Sequence, residues 1–389
     1  MSSDKKLLSD FATVISGYAF KSEWFGTGND KVIRIGDLQE GSIQTESALT
    51  VDATQYKISD NFKIQNKDIL MALSGATVGK IAVASDGDVG AYINQRVAII
   101  RAKDKITADY LKFFFSGEFL DDLLKNAGGA AQPNLSPKQL LLMEIPLPPL
   151  SEQRRIASIL DKANELRQKR QQTIEKLDQL LQATFIDMFG DPVSNPKGWD
   201  LYKLSDLGSI STGNTPSRDD ADNFGNYLEW IKSDNLNNDE DYATTATEYL
   251  SEKGAKKGRV VPEGSILVTC IAGSFDCIGN LAMVDRKVSF NQQINSITPN
   301  DTVVLEFLYY LMKISKPIIQ NASTNSMKGM ISKSKFSEIL LPIPSKEKQI
   351  QFVELFKKLY GLKVSHKLYS NNADLLFKSL QNQAFNGIL

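Results

Sequence analysis

The chain has 389 residues, a length that suggests two to three domains, and carries 45 lysines and arginines against 46 aspartates and glutamates, a formal net charge of −1. That balance weighs against a protein that wraps nucleic acid unaided. One histidine, His366, excludes His-rich zinc sites and HExxH proteases, and two cysteines, Cys270 and Cys277, are too few for a disulfide framework or a four-thiolate metal site.

Two reduced thiols are expected, with a lone structural bridge as the alternative reading. No stretch approaches the ~18 apolar residues of a membrane span. No apolar run follows the first residues, so no signal peptide is visible and a cytoplasmic location is expected. In chain order, residues 1–150 hold short β-type runs such as Lys80-Ile81-Ala82-Val83-Ala84, punctuated by Gly, Asn and Asp clusters. A helical stretch follows near 108–126. Pro148-Pro149 then gives a stiff extended lead into Leu150-Ser151, with Ser151 as helix N-cap. Residues 151–189 contain no proline and take a helical apolar period, stopped by Gly190 and Pro192. Residues 191–344 return to short β-type runs, such as Ile266-Leu267-Val268-Thr269, with a helical stretch at Leu305–Ile314. Ser345, after Pro344, caps a second long helix reaching residue 383.

The second half repeats the first. Leu8-Ser9-Asp10-Phe11 and Gly17 recur as Leu204-Ser205-Asp206-Leu207 and Gly213. Ile93-Asn94-Gln95-Arg96-Val97 recurs as Phe290-Asn291-Gln292-Gln293-Ile294, and Ile145-Pro146-Leu147-Pro148 as Leu341-Pro342-Ile343-Pro344. The offset stays at 196 or 197 throughout, so the chain is a tandem duplication. Four segments result: an α/β unit at 1–150, a central long helix at 151–190, a second α/β unit at 191–344 and a C-terminal long helix at 345–389.

In the C-terminal helix an apolar stripe runs through Phe352, Leu355, Leu359, Leu362, His366, Tyr369, Ala373, Leu376 and Leu380 in alternating steps of three and four, a coiled-coil seam. Equivalent positions in the central helix are Ile156, Ile159, Ala163, Leu166, Arg170, Thr173, Leu177 and Leu180. That stripe weakens towards its end, where Ile174, Leu181 and Phe185 suggest a shifted register. Each helix would be ~57 Å long, too long to rest on one 150-residue unit, so the helices are expected to pair with each other or with a partner chain. Antiparallel pairing on these stripes sets Ile156 against Leu380 and Arg170 against His366.

No catalytic centre is visible. Residues 74–81 resemble a phosphate loop, but the glycine spacing is one residue short and Ile81 stands where Ser or Thr must hold magnesium. A tight turn between strands is the better reading. No Asp/Asn-Pro-Pro-aromatic tetrapeptide, GxGxxG, nucleophile elbow or CxxC occurs. No metal site and no cofactor of its own is expected.

Binding features remain. Residues 17–31 interleave Tyr18, Phe20, Trp24 and Phe25 with Lys21 and Lys31, and Arg34 follows. The second half offers Asn214, Arg218, Trp230 and Lys232, then Lys256, Lys257 and Arg259. Lys328 and Lys333 mirror the first-half loop that holds Gln132 and Asn134. Polar, aromatic and basic side chains on loops suit groove reading and phosphate contact. Taken singly, Trp24 and Trp230 also suit partial core packing, and the lysines a solubilising surface.

The run Ile145-Pro146-Leu147-Pro148-Pro149-Leu150-Ser151-Glu152-Gln153-Arg154-Arg155-Ile156, continuing to Phe189-Gly190, resembles a specificity subunit of type I restriction-modification enzymes, and the resemblance covers the whole chain. The second lead-in, Pro342-Ile343-Pro344-Ser345, departs from it in lacking the double proline and the basic pair. The resemblance implies an α+β chain of two tandem α/β target recognition domains separated by two long helices that form an antiparallel coiled coil. It implies that each domain reads a few base pairs of double-stranded DNA, and that the chain itself is not an enzyme. Two modification (methyltransferase) subunits carrying S-adenosylmethionine would dock on it, and restriction (motor/nuclease) subunits using ATP and magnesium would join for cleavage. Residues common to both halves, Asn94-Gln95 and Asn291-Gln292, cannot distinguish unlike half-sites, so base reading is assigned to residues 18–31 and 214–230. Two other readings stay open: the specificity chain of a type IIB-like system, and a coiled-coil scaffold joining two protein-binding domains.

Overall fold

Alternate residues along the central strands enter different cores. Ile69 and Met71 pack in one cluster and Leu70 and Ala72 in another; Ala98 and Ile100 part from Val97 and Ile99 in the same way. Successive side chains of a strand point to opposite faces, so strands covered on both faces read as unbroken apolar runs. These strands form a four-stranded antiparallel sheet in the order Ala12–Ser16, Val97–Ala102, Ile69–Ala72, Ile81–Val83. The second half repeats it as Gly208–Thr212, Ile294–Pro299, Ser265–Thr269, Leu281–Val284.

One face of the first sheet carries the helix Lys105–Phe115, with Tyr110 and Phe114 in the core. Its second-half equivalent is Leu305–Ile314. Near the other face lies a smaller sheet, in which Asp30–Ile33 pairs antiparallel with Leu49–Val51 and parallel with Tyr92–Ile93. In the second half Leu228–Ile231 pairs in the same senses with Tyr249–Leu250 and Val288–Phe290.

This computed structural model describes residues 5–39, 41–116, 120, 134–323 and 329–389. The expected helix at 108–126 is observed as Lys105–Phe115, and the rest of that range, Ser116 and Leu120 apart, lies outside the described residues. The chain forms two units, Met1–Gln172 with Lys367–Leu389, and Thr173–His366. The division falls inside both long helices, because each α/β body takes the near half of each helix into its own core.

The long helices are Leu150–Phe189 and Lys346–Phe385, 40 residues each. The first begins at Leu150, so Ser151 lies inside it and not at the cap position expected of it. A glutamine ties down each proline lead-in. Gln153 Nε2 donates to the Pro148 carbonyl at 2.7 Å, and Gln349 Nε2 to the Pro344 carbonyl at 3.0 Å. Gly190 ends the central helix at φ +79°, the left-handed conformation glycine adopts without strain.

Within each unit the two helix segments run antiparallel, on a seam different from the one expected. In the first unit Arg167 pairs with Asp374 and lies 4.6 Å from the Phe377 ring centre, while Ile156 and Phe385 share one core. In the second, Phe189 packs 5.8 Å from Phe352 and Asp178 bonds Lys363 at 2.7 Å. These positions, 156, 167, 178, 189 and 352, 363, 374, 385, advance by eleven residues. Eleven residues in three turns is ~3.67 per turn, nearer the 3.6 of a straight helix than the 3.5 of a heptad seam. Heptad positions therefore rotate outwards. Leu166, Leu180, Leu362, Tyr369 and Leu376 are each more than half exposed, at 57%, 52%, 51%, 55% and 59%. Phe352, Leu359 and Ile156 are buried, while Ile159, Ala163, Leu177, Leu355 and Leu380 are half-buried beside the seam. Arg170 donates to the Tyr369 carbonyl, not to His366, which is half-buried in the second unit.

Phe377→Ala should accordingly cost about 3–5 kcal/mol, since it empties a buried site. Leu376→Gln, one residue away, should stay within about 0.5 kcal/mol. Urea titration of both variants separates this seam from the heptad one, which predicts the opposite order.

Candidate nucleic-acid interface

The loops of interest leave the four-stranded sheets at equivalent places. In the first unit Gly17 follows the edge strand and lies against the Asn94 turn, where a Cβ would sit 2.2 Å from the Asn94 carbonyl oxygen. Its N–H donates to Val97 O at 3.0 Å; next, Tyr18 N donates to Ile93 O and Gln95 N to Tyr18 O, both at 2.9 Å. In the second unit a Cβ on Gly213 would sit 2.1 Å from Asn291 O, and Asn214 N donates to Phe290 O at 3.1 Å. The turn that carries each repeated Asn-Gln pair thus holds the root of the loop that follows the edge strand.

The same sheet end gathers two further loops. Residues 74–80 form a turn between Ile69–Ala72 and Ile81–Val83, with Gly75 and Gly79 at φ +86° and +83°. Leu135 N donates to Leu73 O at 2.9 Å, bringing exposed Asn134 beside that turn. In the second unit Ile331 N donates to Cys270 O at 2.8 Å, with exposed Lys333 just beyond. Gln132 and Lys328 lie outside the described residues. Cys270 and Cys277 are unbridged, and burial pushes the Cys270 thiol up to about 12.

The first unit presents an aromatic surface. Trp24, half-buried, stacks on Tyr56 with centroids 4.3 Å apart and planes 10° apart, and Lys21 Nζ lies 5.5 Å from the Trp24 ring. Phe20 is buried against Tyr18. Lys31 is half-buried on Asp30–Ile33, and Arg34 is exposed just past that strand. Tyr56 was not among the expected residues; it is 32 positions from Trp24, and only folding makes them neighbours.

The second unit presents charge. Asn214 is a hub: its side chain donates to Lys257 O at 2.9 Å and accepts Arg259 N at 2.6 Å, while its carbonyl accepts Trp230 Nε1 at 3.2 Å. Trp230 is a core residue, 3% exposed. Its ring supports two cations, the Arg218 guanidinium at 5.4 Å and Lys232 Nζ at 5.2 Å, and Arg218 also covers Phe224 at 4.9 Å. Both cations pair with Glu248, Arg218 at 2.8 Å. Lys232 and then Arg218 hold the Glu248 carboxyl below the usual range. Lys257 bonds Asp220 at 3.2 Å and Asn223 at 2.9 Å, while Lys256 and Arg259 are exposed. Counting cations along the sequence missed Glu248 and Asp220, because each lies 16–37 residues from the cations it engages.

Arg34 and Lys232 occupy one structural position. Each follows the central strand of the small sheet with nearly identical backbone angles, φ −113°, ψ 171° and φ −114°, ψ 169°. Each N–H donates to the side chain three residues on, Asp37 at 2.8 Å and Asn235 at 3.0 Å. One frame is thus built twice and furnished differently.

Residues 3–176 and 196–369 both match the family described as type I restriction modification DNA specificity domain. The chain belongs to this family. It carries the domain twice, in tandem. It is 34% identical over 196 residues to the type I restriction enzyme HindI specificity subunit of Haemophilus influenzae, over 48% of this chain and 42% of that one. The match thus spans less than half of that relative. With the MjaVIII specificity subunit of Methanocaldococcus jannaschii it is 25% identical over 374 residues, 85% of this chain and 86% of the relative. A solved chain from work on complex assembly and conformational transition of the type I R-M system superposes with a TM-score of 0.59 at 16% identity, covering 100% of this chain and 98% of that one. At that identity the likeness shows the fold. Among the described residues no helix is long and apolar enough to cross a membrane.

Proposed function

We propose that this specificity chain is the non-catalytic DNA-reading subunit of a type I restriction-modification complex in the cytoplasm, each unit reading one half of a two-part target. The observation that carries this reading is the duplicated frame. Gly17 and Gly213 root equivalent loops, yet the first loop is aromatic and the second charged. A chain that must read two unlike half-sites needs that arrangement: shared residues place the loops, and differing residues meet the bases. Two modification subunits would dock on the chain and methylate adenine, with S-adenosylmethionine bound on them supplying the methyl group. Restriction subunits, with ATP and magnesium, would join for cleavage. The near-zero net charge suits a reader whose partners provide much of the phosphate contact.

The test is to co-express the chain with its modification subunit in a host free of adenine methylation and to map methylated adenines across the genome. One two-part motif with a non-specific gap is expected. Methylation at no fixed motif, or the same motif when this chain is omitted, would overturn the reading.

A further inference from the structure

Among the described residues, the second unit contains a carboxylate-centred cluster that the first does not repeat, although Arg34 stands where Lys232 does. Trp230 opposes Glu248 across the strand pair, its N–H donating to Glu248 O at 3.1 Å. In the first unit the equivalent pair is Val32 opposite Leu49. Where the first unit has an aliphatic side chain, then, the second has a carboxylate, which collects Arg218 and Lys232 over the Phe224 and Trp230 rings. Arg218 is 58% exposed at its side chain, Glu248 36% and Lys232 27%, so the cluster faces solvent on one side while its aromatic floor is packed.

We propose that Arg218 reads a guanine in the half-site of the second unit, and that Glu248 is the positioning residue that aims it. This rests on the DNA-reading role proposed above. In the major groove guanine offers two acceptors, O6 and N7, side by side, whereas adenine and cytosine each present an amino donor. A guanidinium fork matches the two acceptors and is repelled by a donor. Arg218 has five N–H donors and spends part of this set on Glu248. The carboxylate on one side and the ring faces beneath leave the fork little rotational freedom, so less entropy is lost when it meets a base. Lys232, on the same carboxylate, adds a second donor and no acceptor. The exposed cluster is therefore dominated by donors.

The test uses the complex with the modification subunit and compares Arg218→Lys and Glu248→Gln with the parent by mapping methylated adenines. Binding to duplexes randomised in each half-site is measured in parallel. The parent motif should contain a guanine in one half-site. Arg218→Lys keeps the charge and loses the fork, so preference for that guanine should fall by roughly tenfold while the other half-site is unchanged. Glu248→Gln should relax the same position even though it makes the surface more positive and does not weaken binding to unrelated duplex. A merely structural ion pair would not separate those two readouts.

Melting curves of the free chain should match the parent for both variants. The inference is overturned if no guanine is present in the half-site that responds, if both variants keep the parent preference, or if affinity falls equally on all sequences, as for a phosphate contact. Should the parent complex methylate no fixed motif, the DNA-reading role itself fails, a result distinct from all of these.

Discussion

Replacing Asp241 with alanine should lower the stability of the second unit by about 1–3 kcal/mol, because it leaves the buried Tyr309 hydroxyl without its acceptor and takes a carboxylate away from the buried Lys363. Asp241 is 6% exposed. Its carboxylate accepts the Tyr309 hydroxyl at 2.7 Å and Lys313 Nζ at 2.8 Å, with Lys363 Nζ 3.9 Å away. Lys363 is itself buried on the C-terminal helix and bonds Asp178 of the central helix at 2.7 Å. One loop aspartate thus secures a core helix and sits within reach of the cation that joins the two long helices. Burial by itself would raise the Asp241 carboxyl, but Lys313 and Lys363 outweigh it and hold it below its usual value. The sign follows from linkage: a carboxyl depressed in the folded state stabilises fully above its unfolded value, about 3.9, and loses that contribution as pH falls through the folded value. The gap between parent and Asp241→Ala, read from urea titrations followed by tryptophan fluorescence, should be full at pH 7 and shrink below roughly pH 4. An equal gap at pH 7 and pH 3 would show that the ionised form does not matter.

Gly213→Ala should remove recognition of one half-site and destabilise the second unit by about 1–3 kcal/mol. The added Cβ meets backbone, 2.1 Å from Asn291 O and 2.5 Å from Phe290 O, and no rotamer change relieves that. Relief requires the edge strand to part from the turn, breaking the bonds from Gly213 N to Ile294 O and from Asn214 N to Phe290 O. Asn214 is the hub of the charged loop, so the loop moves with its root. Gly273→Ala is the matched control, with nothing within 4 Å of its Cβ and no left-handed φ, and should be neutral. Gly17→Ala should act in the same way on the other half-site. Methylated-adenine maps of the complex and melting curves of the chain check all three. A Gly213→Ala protein with the parent motif would mean that the loop root tolerates displacement.

The duplication, the turn nature of residues 74–80 and the two long helices were legible from residues alone. Each depends on neighbours in the chain: a proline lead-in, a Gly stop, an unbroken helical period or a repeated string. The phase of the helix seam was not. From Ile156 to Phe189, periods of 3.5 and ~3.67 diverge by about 0.4 of a turn, enough to carry Leu180 from seam to solvent and to put Leu181 in its place. Apolar residues stand along both seams, Ile174, Leu181 and Phe377 on one and Leu166, Leu180 and Leu376 on the other, so composition does not choose between them. The choice is made by the α/β bodies, whose cores take Leu160 and Phe385 in one unit and Phe185 and Phe352 in the other. The loops follow the same logic. Lysines and arginines can be counted in the sequence, but which are held by carboxylates depends on strand pairing, which sets Glu248 opposite Trp230 and leaves Leu49 opposite Val32. Local signals determined the elements and their order, and tertiary contact decided which faces of those elements meet, because a side chain's partner across a seam or a ladder is chosen by register and not by its neighbours in the chain.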